Sequence, residues 1–303
     1  MNTLVSPAMA AGGPAPSRGI QASGVPAALS DEALARESEI AQRAIRQRKQ
    51  LIIWLRVAVL VLVLGGWEVA ARMKWIDPFF YSQPSLIWRQ LVEWVTEGTS
   101  QGPLWQQVLV TLEETVLGFL IGAVAGVVAG ILLGRNKLLS DVFSLYIQIA
   151  NSIPRVVLGS VFVIALGLGM ASKVALAVVM VFFVVFGNAF QGVREADKYM
   201  IANAQILGAS PRQVTMSVVI PSAMSWILAS LHVSFGFALV GAVVGEFLGA
   251  KEGIGLLIST AQGAFNASGV FAAMIVLAVV ALLADFLLTR VEKRLLKWRP
   301  AAF

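Results

Sequence analysis

The sequence contains no cysteine and a single histidine, His232. Without thiols there is no disulfide framework, no thiolate nucleophile and no cysteine-bound zinc or iron–sulfur centre, and one imidazole leaves little from which to build a metal site. Charge is also scarce: 13% of the 303 residues are Asp, Glu, Lys or Arg, 58% are hydrophobic, and the mean hydropathy is +0.80. Soluble domains carry about 25% charged residues. Half that density cannot cover a water-facing surface, which argues against a soluble enzyme, and a disordered or fibrous chain fails on the same composition. The net charge of +6 would suggest nucleic acid in a soluble protein. In so apolar a chain the positive charge must first be placed on a membrane topology.

The first fifty residues differ from the rest. Residues 1–29 are rich in Ala, Gly, Pro and Ser with Arg18 as their one charge, and read as a disordered tail. They lack the basic start and unbroken apolar core of a secretory signal. From Ser30 to Gln50 the pattern is helical: Ser30 stands as a cap, Asp31, Glu32, Glu37 and Glu39 come early, and Arg43, Arg46, Arg48 and Lys49 come late. That order complements a helix dipole and describes a solvated helix flanking a membrane.

From Leu51 onward, apolar runs recur at the length that crosses a bilayer, about 20 residues: 51–70, 107–134, 142–166, 173–192, 222–245 and 269–288. The expectation is an all-α membrane protein of six transmembrane helices, with residues 51–303 as the membrane domain. If the N-terminus is cytoplasmic, seventeen of the 23 basic residues fall inside: seven up to Arg56, then Arg135 and Lys137, then Arg194, Lys198 and Arg212, then five from Arg290 to Arg299. Arg72, Lys74, Arg89, Lys173 and Lys251 fall outside, and Arg155 lies within a span. The excess orients both termini to the cytoplasm. Gly118, Gly122, Gly126, Gly130 and Gly134, with Gly241, Gly245 and Gly249, form bare stripes on which helices can approach closely. Trp54, Trp67, Trp75, Trp105 and Trp298 sit near the expected interfaces.

The segment between the fourth and fifth spans, 193–221, has explicit local grammar. A helical run stops at Gly208, Ser210 caps a new helix with Pro211 in its first position, Gln213 completes a capping box, and Pro221 closes the segment. A loop built this way at a membrane face is a docking surface more often than a tether. The spacing from Gly208 to Pro221, with Val218 and Ile220 before the proline, resembles the EAA loop of ABC-transporter permeases. Asn151-Ser152-Ile153-Pro154-Arg155, Gly167-Leu168-Gly169 with Ser172-Lys173, Gly192-Val193-Arg194 with Asp197, Gly245-Glu246-Phe247-Leu248-Gly249, Gly253-Ile254-Gly255 and the tail from Glu292 to Arg299 extend the likeness over roughly 51–299. Together they resemble the nitrate/sulfonate/taurine/bicarbonate branch of binding-protein-dependent importers. One departure stands out: Ala202-Asn203-Ala204 occupies the place of Glu-Ala-Ala, so the family's acid is missing, and Glu195 and Asp197 lie upstream.

The resemblance implies a type I importer bundle in the bacterial inner membrane. It also implies a permease homodimer, two ATPase subunits docked on the loops, and a periplasmic or lipoprotein solute-binding protein at the outer face. Its coupling residues would be Glu195, Asp197, Ala202, Asn203, Ala204, Gly208, Ser210 and Pro221. The chain has no phosphate-binding loop of its own, so ATP and Mg belong to the partner ATPase.

Charged groups at bilayer depth cost a few kcal/mol each. Arg155, directly after Pro154, either lines the pathway and attracts an anion or pairs with a neighbouring carbonyl or acid at the helix break. Gln148 and Asn151, seven and four residues earlier, share its helical face. Asn188 and Gln191 read as interhelical hydrogen-bond glue. His232 reads as a packing residue or a pathway group, and Glu246 as facing the delivery side. Glu113 and Glu114 stand where the resembling branch often carries a base. Two other classes remain for comparison. An ion-gradient-driven secondary transporter would show inverted repeats and midplane acids, and neither is evident; Asp285 is read near a helix end. An intramembrane serine enzyme would need a G-x-S-x-G turn, which the sequence lacks.

Overall fold

The computed structural model describes residues 31–295. The tail 1–29 with Arg18, the Ser30 cap, Lys297, Trp298 and Arg299 lie outside them. The chain divides into two units, residues 1–63 and 64–303. The described part of the first belongs to α1 (Asp31–Arg72), an unbroken helix whose stretch of crossing length begins at Ile45. No proline interrupts it, so the charged segment and the first apolar run form one element.

The second unit continues with α2 (Pro78–Tyr81), α3 (Pro84–Thr96), α4 (Leu104–Arg135), α5 (Lys137–Ser152), α6 (Leu158–Leu166) and α7 (Met170–Arg194). There follow α8 (Lys198–Ile206), α9 (Pro211–Val214), α10 (Ile220–Leu248), α11 (Ile254–Gly263) and α12 (Ala267–Leu295). Its centre is α7, whose Leu176, Ala177, Val181, Val185 and Ala189 are fully buried. The glycine stripe of α4 lies against it. A Cβ added at Gly122 would stand 2.8 Å from the Val178 carbonyl oxygen, and one at Gly126 would stand 3.0 Å from that of Phe182. Successive glycines meet successively later residues of α7, ending with Gly134 on Val193, so α4 and α7 run parallel. From its other side α10 packs antiparallel, with Gly192 against Ala223 and Trp226, and Gly241 and Gly245 against Ala177 and Lys173. Away from these contacts α4 exposes Leu120, Val124 and Val128, an outward apolar face suited to lipid or a membrane partner.

Two parallel helices in succession require a return between them, and α5 and α6 make it. The sequence pattern gives one span over 142–166; the structure instead has two helices bent by 75° at a break around Ile153 and Pro154. Pro154 brings no N–H to the ladder and holds Ile153 in an extended conformation with ψ of 126°. Five single helices and this bent pair are therefore long and apolar enough to cross a membrane.

Helices α3 and α11 escaped the hydropathy pattern. Ile87 and Trp94 of α3 form an apolar cluster with Ile254 and Leu257 of α11 and Ala272, Ala273 and Val280 of α12. Trp67 meets Phe271 edge-on, with ring centroids 5.2 Å apart. The helix α10 is also longer at its start than 222–245: α9 enters it through a stretch with wider, π-helical turns at Thr215–Val219. Pro221 sits in the first turn of α10, directly after the π-helical stretch, and the chain continues as helix from 211 to 248, so the proline does not end the segment.

Candidate functional site

The loop 193–221 folds as a helical hairpin. Asp197 caps α8, its carboxylate accepting from the Tyr199 N–H at 2.8 Å. Gly208 follows the helix with φ of +83°, a left-handed conformation that costs glycine least. Ser210 and Gln213 then form the reciprocal box: the Gln213 N–H donates to Ser210 Oγ at 3.4 Å, and the Ser210 N–H donates to Gln213 Oε1 at 2.8 Å. Val214, Val219 and Ala196 are buried with Ala189 and Val193 of α7 and Ala223 and Ile227 of α10, with Ile201, Ala204 and Ala209 packed on them. The hairpin is thus anchored to the two central helices.

Its outward face carries several large apolar groups among polar ones. Tyr199, Ile206 and Leu207 are 83%, 83% and 86% exposed, and Met200 is exposed beside them. A cleft of about 350 Å³ opens between the two arms, lined by Ala204, Leu207, Gly208, Gln213 and Ser217 among others. Ala202, Asn203 and Pro221 are exposed. Glu195, upstream of the missing acid, is exposed, and its Oε1 accepts from Gln191 Nε2 at 2.8 Å. Gln191 therefore serves its own helix end and not a neighbouring span, and Asn188 Nδ2 likewise donates within α7, to the Val184 carbonyl at 2.9 Å.

At the bend, Arg155 Nη2 donates to Asn151 Oδ1 at 2.8 Å, and the guanidinium lies 5.0 Å from the centroid of the Phe183 ring. Gln148 is exposed one turn earlier on α5. The helix breaks between Asn151 and Arg155, so it is the hydrogen bond, and not a continuous helical face, that brings these two together. His232 Nε2 lies 3.2 Å from Asp285 Oδ1, which joins α10 to α12; Asp285 stands well within α12, not at its end.

At the opposite end of α7 from the hairpin lies a buried polar cluster. Glu246 is fully buried and does not face an open delivery side. Thr111 Oγ1 donates to its Oε1 at 2.7 Å and the Gly255 N–H to its Oε2 at 2.6 Å. The Gly253 N–H donates to Gln107 Oε1 at 2.7 Å and the Ile254 N–H to Thr111 Oγ1 at 3.0 Å. Three orphan donors at the start of α11 are thereby satisfied by side chains of α4 and α10. Gly253 has φ of +116°, and a Cβ there would strike the Glu246 carboxylate. Lys173, placed among the outer loop bases by its charge, is instead 1% exposed, its Nζ donating to the carbonyls of Leu168 at 2.6 Å and Gly169 at 3.0 Å. Glu114 is 2% exposed and interacts with both Lys173 and Glu246. Gln107, Thr111, Glu114 and Thr115 share one face of α4 at helical spacing, a polar stripe continuous with the glycines, and that periodicity is the sequence signal for the cluster.

Comparison with known proteins agrees with this architecture. Residues 122–297 match the family described as "Binding-protein-dependent transport system inner membrane component". The putative aliphatic sulfonates transport permease protein SsuC of Bacillus subtilis is 29% identical over 247 residues, 81% of this chain and 88% of the relative. The riboflavin transport system permease protein RibX of Chloroflexus aurantiacus is 29% identical over 246 residues, 80% of this chain and 89% of the relative. Among solved structures, a chain of the inward-facing MetNI methionine ABC transporter shares the fold, with TM-score 0.56 and 20% identity over 63% of this chain and 95% of that one. With a family match over more than half its length, apolar helices of crossing length and permeases as relatives, the chain belongs to the binding-protein-dependent transport system inner membrane components, as a multi-pass ABC-importer permease.

Proposed function

We propose that this permease imports a small anionic solute, sulfonate-, taurine- or nitrate-like or another organic acid, driven by ATP hydrolysed on separate subunits. The observation that carries the coupling part is the anchored hairpin 193–221, rigid at its base and apolar at its tip. Tyr199, Met200, Ile206 and Leu207 supply the contact that a Glu at position 202 would otherwise share, and Gly208, Ser210 and the α8–α9 turn set its angle. Ala202, Asn203 and Ala204 line that arm, Asp197 caps α8, Glu195 accepts from Gln191 at the end of α7, and Pro221 starts the span behind it. The parallel course of α4 and α7 supports six crossings, and the basic-residue excess supports cytoplasmic termini with the hairpin on the same side.

Two copies of the chain form the pathway, and a solute-binding protein delivers cargo to the outer face. Closure of the ATPase pair draws the two hairpins together, and because each is packed on α7 and α10 the movement tilts those spans, alternating access between the two sides. The solute class rests on Arg155, with Gln148, Asn151 and His232 as further pathway groups, since relatives of equal identity are named for aliphatic sulfonates and for riboflavin. Isolating the tagged chain in mild detergent, with its genomic neighbours co-expressed, tests the assembly. The expected result is recovery of an ATPase subunit and its loss when Ile206 and Leu207 are both changed to Asp. No ATPase under stabilising conditions, or capture undiminished by the double change, would overturn the docking assignment.

A further inference from the structure

At the end of the bundle opposite the hairpin, a cleft of about 790 Å³ opens between the end of α3 and the start of α4. Trp94, Val95, Trp105 and Leu109 form much of its wall, with Glu97 and two threonines among them. The helices place it relative to a bilayer. Gly118 of α4 lies against Ala177 of α7 and Gly134 against Val193, so the two helices run in step and Met170, the first residue of α7, is level with Thr111. The first turns of α4 therefore stand just past the end of α7. A helix of 32 residues exceeds the length of about 20 that a bilayer core needs, so this end reaches headgroup depth. Trp105, Leu109, Val116, Leu120 and Val124 are all exposed. At 3.6 residues per turn they fall within about 100° of one another, so one apolar face runs from the cleft down the span.

We infer that this cleft seats a phospholipid with a primary-ammonium headgroup, whose N–H groups donate to Glu97 and the threonine oxygens while an acyl chain runs along the exposed face of α4. Three features select that chemistry. The first is charge: among the described residues lining the cleft, Glu97 alone is charged, so a cationic group is favoured there and an anionic one is not. The second is hydrogen bonding. Thr96 Oγ1 donates to the Val92 carbonyl at 2.9 Å and Thr99 Oγ1 to the Gly102 carbonyl at 2.7 Å. Both hydroxyl protons are thus committed, and a hydroxyl oxygen has two lone pairs, so the threonines meet a ligand as acceptors. An ammonium with three N–H donors matches that set. The third is the apolar face, which in a membrane-spanning chain meets acyl chains. Trp105, 65% exposed, has the apolar body and N–H tip suited to the boundary between chain and headgroup. The inference needs only a membrane-spanning chain and does not rest on the transport reading.

The test uses the full-length chain purified in mild detergent and given an equimolar mixture of phosphatidylethanolamine, phosphatidylcholine and phosphatidylglycerol, with retained lipid counted by native mass spectrometry. Phosphatidylethanolamine should be retained roughly three- to fivefold over either competitor. Phosphatidylcholine has the same net charge without an N–H, and phosphatidylglycerol brings a net negative charge to Glu97. Glu97→Gln should bring the three lipids toward parity, and Glu97→Lys should turn the preference to phosphatidylglycerol; the side chain is exposed, so both variants should fold. Leu109→Trp, which narrows the cleft without altering its charge, should lower phosphatidylethanolamine retention about threefold or more. Equal retention of phosphatidylethanolamine and phosphatidylcholine by the unaltered chain, a preference that survives both Glu97 changes, or retention undiminished in Leu109→Trp would overturn the inference. A Leu109→Trp chain that keeps its lipid but loses a co-expressed solute-binding protein or a second copy of itself would give the cleft to that protein, with the same consequence.

Discussion

Arg155 is held at the bend by neighbouring side chains, and on the proposed function it also meets the solute. Its Nη2 is committed to Asn151 and its face to Phe183, yet a guanidinium carries five donors in a fixed fork, so one structural bond leaves others to meet an anion. Arg155→Ala should therefore lower anion uptake and raise the apparent KM by on the order of tenfold, equivalent to about 1.4 kcal/mol of lost interaction. Arg155→Lys should recover part of it; transport kinetics unchanged in the alanine variant would remove Arg155 from the pathway. Gly208 is a second single-residue test. A Cβ there meets open space, so any penalty comes from the left-handed backbone, about 1–2 kcal/mol for a residue other than glycine. Gly208→Val should reduce ATP-driven uptake by roughly tenfold through a distorted hairpin while membrane insertion stays intact, and normal uptake would show that the turn's geometry does not matter. The value of such residues was legible where local chemistry fixes it, as with Gly208, Ser210 and Gln213. Glu114 and Lys173 were not, because their meaning depends on Glu246, which the chain brings to Thr111 from 135 residues away.

Helices were legible in proportion to their length. The long apolar runs appear where hydropathy puts them, and the glycine stripe of α4 packs as its four-residue period requires. Gly126→Leu would drive a side chain into the backbone of Phe182 and Phe186 and should destabilise the α4–α7 pair by about 1–3 kcal/mol or more. A lowered unfolding midpoint in detergent checks this, and an unchanged one would mean that the two helices part more easily than their fit implies. The bend at Pro154 was visible as a residue but not as an angle, since a proline in a span can kink or fully break a helix according to its neighbours. Helices α3 and α11 are too short to register as crossings. Their place is set by tertiary contacts, an apolar cluster for one and the carboxylate of Glu246 with Gln107 and Thr111 for the start of the other.

For the whole molecule, scarce charge was the most informative feature of the sequence. It excluded a water-facing surface, and its distribution gave an orientation on which the hairpin 193–221 falls on the cytoplasmic side. Solute identity was not legible, because this chain is one subunit of a binding-protein-dependent system and its relatives are named for different solutes. The central claim is that the hairpin transmits work from a separate ATPase. Its most direct measurement is binding-protein-delivered uptake into right-side-out vesicles containing the complete transporter, with internal ATP either supplied or depleted. Uptake should require ATP, persist when ion gradients are collapsed, and fall at least tenfold in the double variant Ile206→Asp with Leu207→Asp. Uptake that survives ATP depletion and stops with the ion gradient, or that ignores the double variant, would contradict the account.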